Sequence, residues 1–229
     1  MKFDIIIQAR YQSTRLPGKI LLNFDGTNFL EFLIKNLKRI KSINRIIIIT
    51  PKDEYLKIFS EISKKNKVFH FFSQISENNL ISRYFNCAKK YKSSNIIRIT
   101  SDCPFINPII IKKMMNHYKK NNLKFLTNNK PRFVPHGFDC EIISFEYLKK
   151  SYLFSKSNFD KEHPTQWIYR NIFKKKNESI KLFKSNISKV RLTLDYPSDF
   201  HYFLKNIDIL SRISKNSNYE NLCKRLLIK

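Results

Sequence analysis

Glycine, alanine, tryptophan and acidic residues are scarce in this sequence. Its 229 residues include three glycines, two alanines and one tryptophan, and 18 acidic residues stand against 44 basic ones. So little glycine excludes a collagen-like chain. Aromatics at 14% within 42% hydrophobic residues exclude a disordered one. Apolar runs are short, Ile46–Ile49 being typical, well below the roughly 18–20 residues that span a bilayer. Asp4, Gln8 and Arg10 interrupt any signal-peptide core, so a soluble, cytoplasmic protein is expected, with no membrane partner. Cys87, Cys103, Cys140 and Cys223 form no Cys-x-x-Cys pair, and the five histidines show no zinc-ligand spacing with them. Reduced thiols and no structural zinc follow as expectations.

The formal net charge of +26 would ordinarily suggest a nucleic-acid partner. The excess is even, however: each half of the chain carries +13, and no basic arm or tail stands out. Lys, Asn, Ile and Phe make up 108 of the 229 residues, four types that share A/T-rich codons. Nucleotide bias in the genome therefore accounts for the charge more simply than a nucleic acid does. Against that background each glycine marks a backbone requirement. Gly26 closes the turn signal Asn23-Phe24-Asp25-Gly26, whereas Gly18 and Gly137 lie in polar, motif-like stretches.

Short isoleucine-rich runs alternate with helical patterns. Strands are expected at 4–8, 45–50, 67–72 and 95–100, and helices at 28–40, 53–64 and 78–91. Asn107 followed by Pro108 starts a further helix. The second half predicts strands at 123–127, 138–144 and 190–194 and helices at 161–173 and from Pro197 to about Leu210. Such alternation implies an α/β fold, a three-layer αβα sandwich on a mainly parallel, mixed sheet. With no repeat or linker in view, residues 1–229 read as one domain. Ligands of such sheets bind beyond the carboxyl ends of the strands, which directs attention to three polar stretches.

The first runs from Gln8 through Ala9, Arg10, Ser13, Thr14 and Arg15 to Gly18-Lys19. Arginine forks and a lysine ammonium in one loop make a polyphosphate cradle. Ile20 follows Lys19 where a P-loop needs Ser or Thr, and the glycine triplet of a dinucleotide fold is missing. The second stretch, Arg98-Ile99-Thr100-Ser101-Asp102, places a carboxylate at a strand end, where it can hold Mg²⁺ against phosphate oxygens. The third, Arg191 to Asp199, offers Asp195 as a second ligand, while Asp199 suits a first helical turn without any further function.

The run Ile7-Gln8-Ala9-Arg10-Tyr11-Gln12-Ser13-Thr14-Arg15-Leu16-Pro17-Gly18-Lys19 resembles the signature of the cytidylyltransferases that include the CMP-Kdo and CMP-sialic acid synthetases, and most of all their spore-coat-polysaccharide branch. Arg98–Pro104, Gly137–Glu141, Glu162–Thr165 and Leu192–Asp199 continue the likeness in order, over about residues 3–203, leaving the segment 204–229 unassigned. The resemblance implies a nucleotide-diphospho-sugar-transferase-like fold. It also implies Mg²⁺-dependent transfer of CMP from CTP to a sugar acid or phosphorylated sugar or polyol, for surface polysaccharide, with release of pyrophosphate. On this likeness Arg10, Arg15 and Lys19 are catalytic, and Gln8, Ala9, Arg10, Ser13, Lys19 and Arg83 bind the nucleotide. Asp102 and Asp195 hold the metal, and Asp139, Glu141 and His163 lie on the acceptor side. A homodimer is a further implication. Asn78 and Asn79 stand where relatives carry acids, and Pro164 where they carry valine. The alternatives are a sugar-1-phosphate nucleotidyltransferase using another triphosphate, a basic nucleic-acid-binding protein, and an inactive scaffold.

Overall fold

The computed structural model describes residues 1–174 and 178–227. Strands β1 (Asp4–Gln8), β4 (Arg45–Pro51), β5 (Phe69–Ser73) and β6 (Asn95–Thr100) are parallel, and β8 (Glu141–Ser144) runs antiparallel to both β6 and β7 (Phe125–Thr127). The sheet order is β5-β4-β1-β6-β8-β7, and a separate two-stranded ribbon pairs β2 (Asn23–Phe24) with β3 (Thr27–Asn28). Asp25 and Gly26, both at positive φ, make the tight turn of that ribbon.

Helices cover both faces. Ile5, Ile7, Ile48, Ile97 and Ile99 share one core with α1 (Phe29–Leu37), α2 (Leu56–Lys65), α4 (Pro108–Lys120) and the C-terminal helices α8 (Pro197–Lys205), α9 (Ile207–Ile213) and α10 (Tyr219–Arg225). Ile6, Ile47, Ile49 and Ile96 form the opposite core with α3 (Leu80–Lys90), α5 (Phe145–Phe154) and α7 (Gln166–Asn171). Unbroken isoleucine runs are thus the mark of strands buried on both sides. The three-layer αβα sandwich expected from the sequence is the observed architecture.

Several details differ. The helix expected over 161–173 is two, α6 (Asn158–Glu162) and α7, because Pro164 removes a donor and drives His163 out of helical geometry, to φ −118° and ψ 87°. Residues 190–194 are extended but join no strand: His136 N–H donates to the Val190 carbonyl and Leu192 N–H to the His136 carbonyl, so the partner is a loop. The helix expected from Pro197 to Leu210 breaks at Asn206. Helix α5 was not foreseen; Ser144 caps it by accepting from the Tyr147 N–H.

Chain order explains where a ligand sits. After β1 the chain builds outward through β4 and β5, then returns to place β6 on the other side of β1. The crevice between the carboxyl ends of β1 and β6 is therefore the topological switch point, with Gln8 opposite Thr100 in register.

Candidate active site

A cavity of about 450 Å³ opens at that switch point. Its cationic wall is the loop after β1, which folds back so that Gly18 N–H donates to the Tyr11 carbonyl. Gly18 sits at φ 66°, and a Cβ there would meet the Tyr11 ring at 3.1–3.2 Å. Tyr11 in turn stacks on Tyr55. The turn places Lys19 on a single 3₁₀ turn, Lys19–Leu21, whose next residue, Ile20, is anchored in the core.

Lys19 Nζ reaches Asp195 Oδ1 at 2.8 Å and Asp102 Oδ2 at 3.4 Å. Arg191 Nη2 lies 2.7 Å and Arg15 Nη2 3.2 Å from Asp195. Burial pushes the Asp195 carboxyl up, but the hydrogen bonds from Lys19 and Arg191 outweigh it and hold the group at about 2. The backbone fixes the pair of carboxylates, since Leu194 N–H donates to the Asp102 carbonyl at 2.9 Å. Asp199 is different: it accepts from the Asp195 and Tyr196 N–H groups at the start of α8 and pairs with Arg191, which is capping.

Gln8, Ala9, Arg10, Ser13, Arg15, Lys19, Arg83, Asp102, His163 and Asp195 all line the cavity. Arg10 pairs with Glu77 at 2.6 Å. Arg83 is buried and ties down the preceding loop through the Ser76 and Glu77 carbonyls. Asn79 caps α3 by accepting from Ser82 N–H, as an aspartate there would. His163 packs against Phe159 at the α6–α7 break.

Asp139 and Glu141, expected on the acceptor side, are not among the residues lining the cavity. Asp139 is occupied by Arg132, Asn129 Nδ2 and the Gly137 N–H. Glu141 is buried, with Arg98 Nη1 at 3.0 Å and the Tyr169 hydroxyl at 2.6 Å. Both carboxylates are thus already paired within the protein. Arg98 itself lines the cavity, as do Glu77, Leu80, Thr100 and Glu162, to none of which the sequence had assigned a role of its own. A cation inside the isoleucine run Ile96-Ile97-Arg98-Ile99 was the available signal for Arg98, since a charge in a buried strand needs a partner.

Asp102 and Asp195 offer oxygen donors only, and they already converge on one cation, the Lys19 ammonium. No group of three or more His, Cys, Asp or Glu side chains able to hold a metal occurs among the described residues. Two carboxylates completed by phosphate oxygens and water are the usual Mg²⁺ arrangement, so the residues fit that ion. No helix among the described residues is long and apolar enough to cross a membrane.

A cationic loop facing a carboxylate pair at the switch point of a mostly parallel sheet is the arrangement of a nucleotidyltransferase. Comparison with known proteins makes the class narrower. The cytidylyltransferase family model matches residues 5–223, and the chain belongs to that family. It is 30% identical to an uncharacterised protein of Methanocaldococcus jannaschii over 97% of this chain and 94% of the other. It is 27% identical to the spore coat polysaccharide biosynthesis protein SpsF of Bacillus subtilis over 85% and 82%. A solved cytidylyltransferase from Leptospira borgpetersenii superposes with a TM-score of 0.83 at 33% identity, covering 100% and 94%.

Proposed function

We propose that this chain, acting as one nucleotidyltransferase domain, transfers CMP from CTP to a small sugar-type acceptor, with release of pyrophosphate, for surface polysaccharide. One observation carries this beyond the family assignment: Lys19, Arg15, Asp102 and Asp195 meet within hydrogen-bond reach at one end of the cavity. A divalent cation, Mg²⁺, held by Asp102 and Asp195 would neutralise charge on the triphosphate and polarise the attacked phosphorus.

The chain's own groups do the rest. Arg10, Ser13, Arg15 and Lys19 grip the triphosphate, and their positive charge lowers the cost of the charge that develops on pyrophosphate as it leaves. Nucleophilic attack by an acceptor oxygen on the α-phosphorus forms the new P–O bond while the bond to the β-phosphate oxygen breaks. Glu162 and His163, which also line the cavity, face the acceptor.

A thermal shift with CTP, UTP, GTP and ATP, each with and without Mg²⁺, tests the donor without needing an acceptor. At 100 times Kd a ligand adds about 2.7 kcal/mol, or roughly 5–11 °C for a chain of this size. A Mg²⁺-dependent rise selective for CTP is expected. In the same assay folded Asp102→Asn loses the Mg²⁺-dependent part of the rise; its full retention removes Asp102 from the metal site. Equal small shifts with every triphosphate would reject CTP as donor.

A further inference from the structure

One side chain in the cavity has its chemistry fixed by residues outside it. Gln8 Oε1 accepts from Arg98 Nη2 at 3.2 Å, and the Tyr84 hydroxyl lies 3.3 Å from the same oxygen. Arg98 is itself held by Glu141 Oε2 at 3.0 Å, and Glu141 Oε1 takes the Tyr169 hydroxyl at 2.6 Å. Reversing the Gln8 amide would turn its NH₂ onto the guanidinium, donor against donor, so a single orientation survives. Gln8 Nε2 has no partner among the described residues, nor is it sealed off as a buried atom, and Gln8 lines the cavity. What the wall offers a ligand at this point is a hydrogen-bond donor.

The position in the cavity says which part of a nucleotide meets it. Gln8 follows Ile6 by two residues, and Arg98 pairs with Ile6 in register, so both point to the face covered by α3, where Leu80 and Arg83 also line the cavity. The cations and carboxylates that suit phosphates gather at Lys19, whose neighbour Ile20 packs into the opposite core. The flat, uncharged part of the ligand therefore lies toward Gln8.

We propose that Gln8 is a specificity-determining residue for the nucleobase, its amide locked donor-outward by Arg98, with Glu141 and Tyr169 as positioning residues behind it. This rests on the CTP reading above. Ring position 3 separates the pyrimidines, being an acceptor nitrogen in cytosine and an N–H donor in uracil. A fixed donor facing that position accepts cytosine and leaves uracil with two opposed donors, a mismatch worth about tenfold or more in affinity. Glu141, a carboxylate that the sequence associates with the acceptor, then acts on the base through Arg98.

The test compares CTP, UTP and tripolyphosphate binding to wild type, Gln8→Glu and Tyr169→Phe, by titration calorimetry with Mg²⁺. In Gln8→Glu one carboxylate oxygen stays on Arg98 and the other faces the ring as an acceptor. The CTP-to-UTP affinity ratio is expected to fall by about tenfold or more, toward UTP, with tripolyphosphate affinity unchanged. Tyr169→Phe is expected to lower the ratio by a smaller factor, again sparing tripolyphosphate. Should Gln8→Glu not fold, Gln8→Met, which lacks the donor, is expected to erase the preference.

If wild type prefers CTP and the folded Gln8 variants keep that preference, the assignment of Gln8 is wrong and the function stands. A fall in all three affinities together also overturns it, since that marks a general loss of structure. A wild type with no preference for CTP removes the function and this assignment at once.

Discussion

Gly137 lies at φ 98°, and a Cβ on it would stand 2.5 Å from the Leu192 carbonyl oxygen. The backbone of the neighbouring His136 holds the extended segment 190–194 against the loop after β7 by hydrogen bonds to Val190 and Leu192, a close approach that Gly137 permits, and the segment delivers Asp195. Gly137→Ala is expected to cost about 2–4 kcal/mol, from backbone strain plus a backbone collision, and to lower CTP affinity as well. Gly26→Ala is the control. It also has a positive φ, but a Cβ there meets nothing within 4 Å, so only strain of about 1–2 kcal/mol applies. Urea denaturation of both variants checks the difference; equal losses would remove the collision as the cause. Single residues also show how far the sequence could be read. Lys19, Arg15, Asp102 and Asp195 were legible because a cluster of cations in the loop after one strand, and carboxylates just past two extended apolar runs, stand out from the sequence around them. Asp139 and Glu141 looked equally available. Their partners, Arg132 for one and Arg98 and Tyr169 for the other, become neighbours only through the folded topology.

Among the elements, α4 has the most consequential cap. Asn107 is fully buried; its Oδ1 accepts from Ile109 N–H at 2.7 Å, and its Nδ2 donates to the Ile213 and Asn216 carbonyls at 2.6 and 2.9 Å. One side chain thus starts α4 and ties the C-terminal helices to it. Asn107→Ala is expected to destabilise by about 2–4 kcal/mol, beyond an ordinary cap, because the buried Ile213 carbonyl and the Asn216 carbonyl also lose their donor. Hydrogen exchange should show the loss concentrated in α9 and α10; a loss confined to α4 would reduce Asn107 to a simple cap. Elements buried on both faces were the easiest to read, since Ile5–Ile7 and Ile46–Ile49 suit no other setting at that length. Ends were misplaced where tertiary contacts set them: the strand expected over 138–144 is Glu141–Ser144, because Asp139 and Cys140 turn toward Arg132 and Asn128. The α6–α7 break is written in Pro164, whose effect on His163 outweighs the apolar spacing of 161–173.

For the molecule as a whole, +26 is a standing self-repulsion. Surface lysines this dense destabilise the compact state at low ionic strength and are screened as the Debye length falls from about 10 Å at 0.1 M to 3 Å at 1 M. Raising NaCl from about 0.05 to 0.5 M is expected to raise the Tm of the ligand-free protein by a few degrees while shrinking the rise produced by CTP. A Tm that falls with salt would mean that the ion pairs outweigh the repulsion. The even spread of charge was legible from the sequence; its sign at the cavity was not, because Asp102 and Asp195 locally cancel the lysine between them.

That lysine has a history along the chain. Lys19 precedes Asp102 by 83 residues and Asp195 by 176. During synthesis the ammonium leaves the ribosome long before either of its counter-ions, and the second arrives only with the segment that His136 holds. Glu77 and Asp102 emerge first, to meet Arg10 and Lys19. Arg15 and the closer contact of Lys19 wait for Asp195, so the growing chain completes its site only when the distant end of the fold docks.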